Sequence, residues 1–181
     1  MQKMAKFHKV SFNQFKKDWI DNFPMLQDEM LDDDFVDNHV RKIYDNIKLP
    51  KRATMNSAGY DFFSPMSFTL EPGEYIKIPT GIRCEMYDGW AMLAFPRSGQ
   101  GFKYGIHHAN TIPVIDSDYF ESDNEGHIFF KMINDSALAK TIKIEEGDAF
   151  CQGMFVQYGI TLDDDTTEMR NGGFGSTDKK E

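Results

Sequence analysis

The sequence predicts a mainly β domain, a sandwich or barrel, behind a short helical N-terminal extension. Three observations predict it. From about residue 40, short runs of β-branched and aromatic residues are separated by Gly- and Pro-containing turns at regular spacing. Residues 1–39 instead repeat apolar side chains at helical intervals. Residues 163–181 are polar and Gly-rich, the composition of a flexible arm. The expected organisation is therefore an extension (1–39), a β domain (40–162) and a C-terminal arm (163–181), with no internal repeat.

In the extension, a short strand or arm leads into one or two amphipathic helices. Ser11-Phe12-Asn13-Gln14 reads as a capping box, a hydroxyl at the cap with Gln three residues on. Phe12, Phe15, Trp19, Ile20 and Phe23 then share one helical face. Pro24 marks a break or a new start. The following stretch is acidic, yet Met30, Leu31, Phe35 and Val36 keep the helical rhythm. Such an extension is either a docking surface for a protein partner or a cap on its own domain, and amphipathic helices more often do the second. Asp32-Asp33-Asp34 reads as a solvated face, because adjacent carboxylates on a helix point apart.

The strands follow in order. Residues 75–78 come after the turn Glu71-Pro72-Gly73, Ile82–Met86 after Pro79-Thr80-Gly81, and 90–95 after Asp88-Gly89. Residues 126–132 and 141–144 alternate or carry β-branched and aromatic side chains. Glu145-Glu146-Gly147-Asp148 turns the chain into 149–158.

At 181 residues the chain can bury one sizeable core. Its formal net charge of −9 argues against a nucleic-acid or anionic-membrane surface, though not against a small anion held by a few local donors. Cys84 and Cys151 are far apart, which disfavours a structural zinc site and fits a reducing cytoplasm better than a disulfide framework. No run approaches the ~20 apolar residues of a membrane span, and the first residues lack the apolar run of a secretory signal.

Chemistry concentrates in five places. In Ser57-Ala58-Gly59-Tyr60-Asp61-Phe62, small residues beside an acid allow close backbone approach, although taken alone a strand-edge turn explains them better. Phe95-Pro96-Arg97-Ser98-Gly99-Gln100-Gly101 gathers a guanidinium, a hydroxyl and backbone N–H groups. That set suits phosphate oxygens, or else an ordinary polar turn. Asn110-Thr111-Ile112-Pro113-Val114-Ile115-Asp116-Ser117-Asp118-Tyr119 runs from an apolar strand into two carboxylates and a ring. Buried carboxylates are costly, so such a strand delivers them to a cleft or a turn. Gln152 interrupts an apolar strand after Gly147-Asp148, as a ligand contact or an edge residue. Arg170, Phe174 and Ser176 place a cation, a stacking ring and a hydroxyl on a Gly-rich segment suited to a lid. His107 and His108 are adjacent on a strand, so they face opposite ways and do not share a metal.

Taken in order, Ala58-Gly59-Tyr60-Asp61, Pro96-Arg97-Ser98-Gly99, Ile115-Asp116-Ser117-Asp118-Tyr119, Gly147-Asp148 with Gln152, and Gly172-Gly173-Phe174-Gly175-Ser176-Thr177 resemble the five motifs of the homotrimeric dUTPase family. The resemblance covers about residues 40–178. Asp123-Asn124-Glu125-Gly126-His127-Ile128-Phe129 looks like an insert of the branch found in Gram-positive bacteria and their phages. The resemblance implies a jelly-roll β-sandwich and a homotrimer with three sites at subunit interfaces, each closed by a neighbour's C-terminal arm. It implies hydrolysis of dUTP to dUMP and pyrophosphate by attack of water on the α-phosphate, which limits uracil in DNA and supplies dUMP for dTMP synthesis. Mg2+ would be held mainly by the triphosphate and water, with Asp61 reaching it through water.

Carried over by position, Asp116 would be the general base, and Tyr119 would press on the deoxyribose and exclude a ribose. Asn110 and the backbone around Val114 and Ile115 would read uracil. Arg97, Ser98, Gly99 and Gln152 would hold phosphates. Phe174, with Gly175 beside it, would stack on the base, while Arg170 and Ser176 would meet the γ-phosphate. The chain departs from the family pattern at Pro113, where Gly is usual, and at Ala149, where Arg is usual. It also has a longer loop after Tyr119, a shorter spacing from Arg170 to the Gly-Phe-Gly segment, and Asp178 in place of a frequent Gly. Two other functions fit the same fold. One is a dUTP-sensing regulatory protein that docks through the extension. The other is a dCTP deaminase, which needs a Glu over the base where only the loop residues Glu121 and Glu125 are near.

Overall fold

A computed structural model describes residues 2–27, 32–168 and 170. Its elements run β1 (Ala5–Lys9), α1 (Phe12–Asn22), α2 (Asp33–Asn46), β2 (Lys51–Arg52), β3 (Tyr60–Phe63), β4 (Phe68–Leu70), β5 (Tyr75–Pro79), β6 (Ile82–Met86), β7 (Trp90–Pro96), α3 (Ser98–Tyr104), β8 (Ile106–His108), β9 (Val114–Asp116), β10 (Phe129–Asn134), β11 (Ile142–Ile144) and β12 (Ala149–Gln157). Short 3₁₀ turns occupy Pro24–Gln27 and Ser117–Glu121.

The largest sheet has the order β2-β3-β12-β7-β9, and the sheet β5-β10-β8 supplies a second layer. Two-stranded pairs, β1-β6 and β4-β11, complete the β-sandwich, which is of jelly-roll type and not a closed barrel. Alternation along the strands sends every second side chain inward. Phe62 of β3 meets Phe130 of β10 edge-on at 5.1 Å between ring centroids, and Phe130 meets Phe150 of β12 at 6.0 Å. These rings, with Ile78 and Met92, are fully buried and join the two layers.

The extension is part of this core. β1 pairs antiparallel with β6, from Ala5 opposite Met86 to Lys9 opposite Ile82. Phe15 and Trp19 of α1 are buried, as are Val36 and Val40 of α2, while Phe12, Ile20 and Phe23 are partly buried against them. Phe35 departs from the expected face. It is exposed and stacks on His39 one turn along the helix. Met30 and Leu31 lie outside the described residues. Asp32 caps α2, accepting from the Asp34 N–H, which gives the acidic run a capping role. The expected boundary at residue 40 falls inside α2, which runs on to Asn46 before the short strands begin. Gly81, at φ +72°, lets the helices close on the sheet, since a Cβ there would stand 2.3 Å from Ile47 Cδ1.

Among the described residues, no helix is long and apolar enough to cross a membrane. Cys84 and Cys151 are free and buried, and burial pushes the Cys84 thiol up to about 12.

Candidate active site

Two groups of side chains form, on opposite flanks of β7. The first is built by β3, β12 and the β7-α3 junction. Gln152 of β12 lies between Asp61 of β3 and Phe95 of β7 in the sheet register. β7 ends at Pro96, and Arg97 is the N-cap of α3. The N–H groups of Gln100 and Gly101 both bond to the Arg97 carbonyl. Those of Ser98 and Gly99 precede the first intrahelical acceptor, as in any first helical turn. The helix ends at Gly105, φ +64°, where a Cβ would stand 2.6 Å from the Asp135 carbonyl oxygen.

A cavity of about 380 Å³ opens here, lined by Asp61, Arg97, Ser98, Gly99, Lys103 and Gln152 among others. Arg97 Nε is 3.2 Å from the mostly buried Asp61 carboxylate. Gln152 Nε2 donates to the Pro96 carbonyl at 3.3 Å. Gly59 makes room for that amide, because a Cβ at this position would be 2.6 Å from Gln152 Oε1. Arg97 and Lys103 outnumber the single carboxylate, which suits a polyanion. Lys103 escaped the sequence reading, which took 95–101 as a phosphate-binding set of donors or an ordinary polar turn. A helical reading of 98–104 places Lys103 one turn after Gly99, on the same face.

The second group sits on the hairpin β8-β9 and the turn that follows. Thr111 adopts φ +64°, its N–H bonding to the His108 carbonyl, and the Ile112 N–H bonds to the Asn110 carbonyl. The left-handed residue of this hairpin is thus Thr111, and Pro113 keeps a ladder bond, its carbonyl accepting from the Ala94 N–H at 3.0 Å. Asn110 and Val114 are exposed, while Ile115 turns into the core. β9 pairs with β7 along one side only and is the last strand of its sheet, so its other side offers backbone donors and acceptors. His107 is exposed and His108 buried, on opposite faces as their adjacency requires.

Asp116 is half-buried and ion-paired with Arg170 through Oδ2 and Nη2. Arg170 Nε also reaches Asp118 Oδ1 at 3.1 Å. Burial raises the Asp116 carboxyl above the usual aspartate range. Arg170 opposes the rise and Asp118 adds to it. Tyr119 is not an open aromatic platform, being only 7% exposed. Its hydroxyl donates to the His127 carbonyl at 2.7 Å and accepts from Asn124 Nδ2 at 2.8 Å. The Arg170 guanidinium carbon stands 5.7 Å from its ring centroid.

The cavity lining contains none of Asn110, Val114, Ile115, Asp116, Tyr119 or Arg170. One chain therefore keeps its anion cavity and its carboxylate hairpin apart. Arg170 lies with the hairpin carboxylates and not, as expected, with the phosphate residues. Asp116 and Asp118 concentrate the negative charge that attracts it. Phe174, Gly175 and Ser176 fall outside the described residues. No three His, Cys, Asp or Glu side chains converge as a metal site among the described residues.

A family model described as dUTPase matches residues 45–178. A deoxyuridine 5'-triphosphate nucleotidohydrolase of Lactococcus lactis is 39% identical over 134 residues, covering 72% of this chain and 88% of that protein. One from Haemophilus influenzae is 37% identical over 147 residues, covering 77% and 93%. The crystal structure of dUTPase from Streptococcus mutans superposes with a TM-score of 0.56 at 35% identity, covering 65% of this chain and 90% of that one. A dUTPase of the staphylococcal phage phi11, in which a structural Mg(II) ion is described, shares the fold at 23% identity with a TM-score of 0.53, covering 68% and 92%.

Proposed function

The chain belongs to the dUTPase family and is a deoxyuridine 5'-triphosphate nucleotidohydrolase, and on that premise we propose how its own residues divide the work. The observation that carries the division is the separation of two half-sites that the reaction needs together. The Arg97 cavity holds the phosphates, with Ser98, Gly99, Gln152 and Lys103 as further donors. The free side of β9 around Val114 and Ile115, with Asn110 at the turn, reads the base edge through backbone groups. Asp116, beside Tyr119 at the end of β9, orients water for attack on the α-phosphate. Burial raises its pKa, which makes it a better proton acceptor than an ordinary aspartate.

The halves do not share a cavity within one chain, which agrees with the complete site between subunits of a homotrimer that the family resemblance implies. The C-terminal arm, with Phe174, Gly175 and Ser176, closes it. Arg170 leaves Asp116 as nucleotide enters and meets the phosphate charge, which frees the base and uncovers the Tyr119 ring toward the sugar. Asp61, a carboxylate on the cavity wall, would hold through water a Mg2+ that arrives with the phosphates. When bound, that ion neutralises the phosphate charge. Glu125 accepts two bonds from Ser11, which removes it as a deaminase acid. The buried Phe15 and Trp19 speak for a cap over a docking role for the extension.

Pyrophosphate release across dUTP, UTP and dCTP, with and without magnesium, tests this assignment. Asp116→Asn keeps dUTP binding and loses turnover. Undiminished turnover in that variant removes Asp116 from the role of base.

A further inference from the structure

Tyr119 is tied, through His127, to a segment that lies outside the family match. The match begins at residue 45, and α1 precedes it. Asp18 of α1 places Oδ2 2.5 Å from Nδ1 of His127, a ring with no solvent exposure. The opposite nitrogen of that ring, Nε2, accepts the Gly81 N–H at 2.7 Å. A backbone N–H can only donate, so Nε2 carries no proton. The Nδ1–H donates to Asp18, and the ring is a neutral imidazole of one tautomer. Burial lowers the tendency of His127 to protonate, in agreement with that assignment. Because both nitrogens are engaged, His127 has no vacant position for acid–base work. What it offers is its carbonyl, which accepts the Tyr119 hydroxyl.

A second tie runs parallel to the first. Glu125 accepts from the Ser11 N–H at 2.7 Å and from its hydroxyl at 2.6 Å. The capping box of α1 is thereby completed from the loop after Tyr119, while Gln14, the expected partner, turns instead to Asp18 at 2.8 Å. Gly126, at φ +66°, lets the loop fold back on the Tyr119 carbonyl, where a Cβ would be 2.6 Å away.

We propose that Asp18 and His127 are positioning residues for the reaction. Through the His127 carbonyl, the N-terminal helix sets the place of the Tyr119 ring, and with it the discrimination between deoxyribose and ribose. This rests on the reading of Tyr119 as the sugar contact. A ring displaced by a fraction of an ångström no longer presents the same steric wall to a 2′-hydroxyl. The extension thus acts on selectivity through the insert, without touching the nucleotide.

The test is the ratio of kcat/KM for dUTP to that for UTP in the full-length enzyme, measured beside thermal unfolding. Tyr119→Ala lowers the ratio if the ring meets the sugar. Asp18→Ala lowers it by about tenfold, mainly through KM. Tyr119→Phe keeps the ring, cuts the tie from the other end and gives a similar loss, and the double variant loses no more than either single one. Asp18→Asn, whose side-chain oxygen still accepts the Nδ1–H, restores the ratio. The proposal is overturned if Tyr119→Ala lowers the ratio while Asp18→Ala and Tyr119→Phe shift only the melting temperature. An unchanged ratio in Tyr119→Ala removes the sugar reading itself, and the positioning role with it.

Discussion

Arg170 pairs with Asp116 across 54 residues of sequence and also reaches Asp118, so a cation near the end of the described chain holds the carboxylate assigned to activate water. Of the three influences on the Asp116 carboxyl, Arg170 alone favours its charged form. Burial and Asp118 disfavour it. Removing the guanidinium therefore moves the pKa further up. In Arg170→Ala, the acid limb of the kcat/KM profile for dUTP shifts to higher pH relative to the parent enzyme. An acid limb that stays in place, or moves down, breaks the link between Arg170 and the base.

The close approach of Gly59 to Gln152 gives a second prediction. A methyl group on residue 59 meets the Gln152 amide oxygen, the far end of a flexible side chain, so the amide swings aside at little cost to folding. Gly59→Ala raises KM for dUTP several-fold, about 1 kcal/mol of binding, and leaves the melting temperature nearly unchanged. Gln152→Ala gives a similar rise, and the two combined give no more than either. Additive losses would show that Gly59 acts otherwise.

Where a signal lies in local periodicity, the sequence was legible. The alternation at 75–78, 82–86 and 90–95 became β5, β6 and β7, and the helical face of Phe15 and Trp19 became the buried face of α1. α3 was hidden because Ser, two Gly and a preceding Pro carry strong turn propensity, which the packing of Gln100 against the Ala149 carbonyl overrides. β3 was missed because its four residues, beside a small-residue turn, are too few for a period to show. The residue types of the site were legible, but their division into two groups was not. Division depends on sheet order, and β7 separates Gln152 from Asp116 only once β9 has paired at its far side. The bond from Asp18 to His127 joins residues 109 apart, and no local pattern announces it.

His108 sets an acid limit on stability. Its ring is fully buried, and burial brings its pKa from 6.5 down to about 4, against opposing backbone hydrogen bonds at Phe95 and Lys131. The unfolded chain therefore binds a proton that the native state refuses. The associated stability is complete above about pH 6.5 and is lost as pH falls toward 4, roughly 2 kcal/mol by pH 5. His127, also lowered by burial, acts in the same direction. In denaturant unfolding between pH 7 and pH 5, His108→Gln flattens the slope of stability against pH, whatever its cost at neutral pH. A slope unchanged by the substitution assigns the acid sensitivity to other groups.

The extension as a cap makes the last prediction. Phe15 is fully buried, packing on Trp19 at 5.1 Å and on Tyr44 at 5.6 Å between ring centroids. It also stands 3.3 Å from where a Gly81 Cβ would be, so there is little slack to fill a void. Phe15→Ala costs about 3–5 kcal/mol, the range for removing a buried ring where the surroundings cannot collapse. Denaturant unfolding followed by intrinsic fluorescence reads this directly, because Trp19 lies against the deleted ring. One cooperative transition with a lowered midpoint is the expected result, since α1 and the β-sandwich share a core. A separate early transition, with the remaining sandwich unfolding at the parent midpoint, would make the extension an independent unit and reopen it as a docking surface.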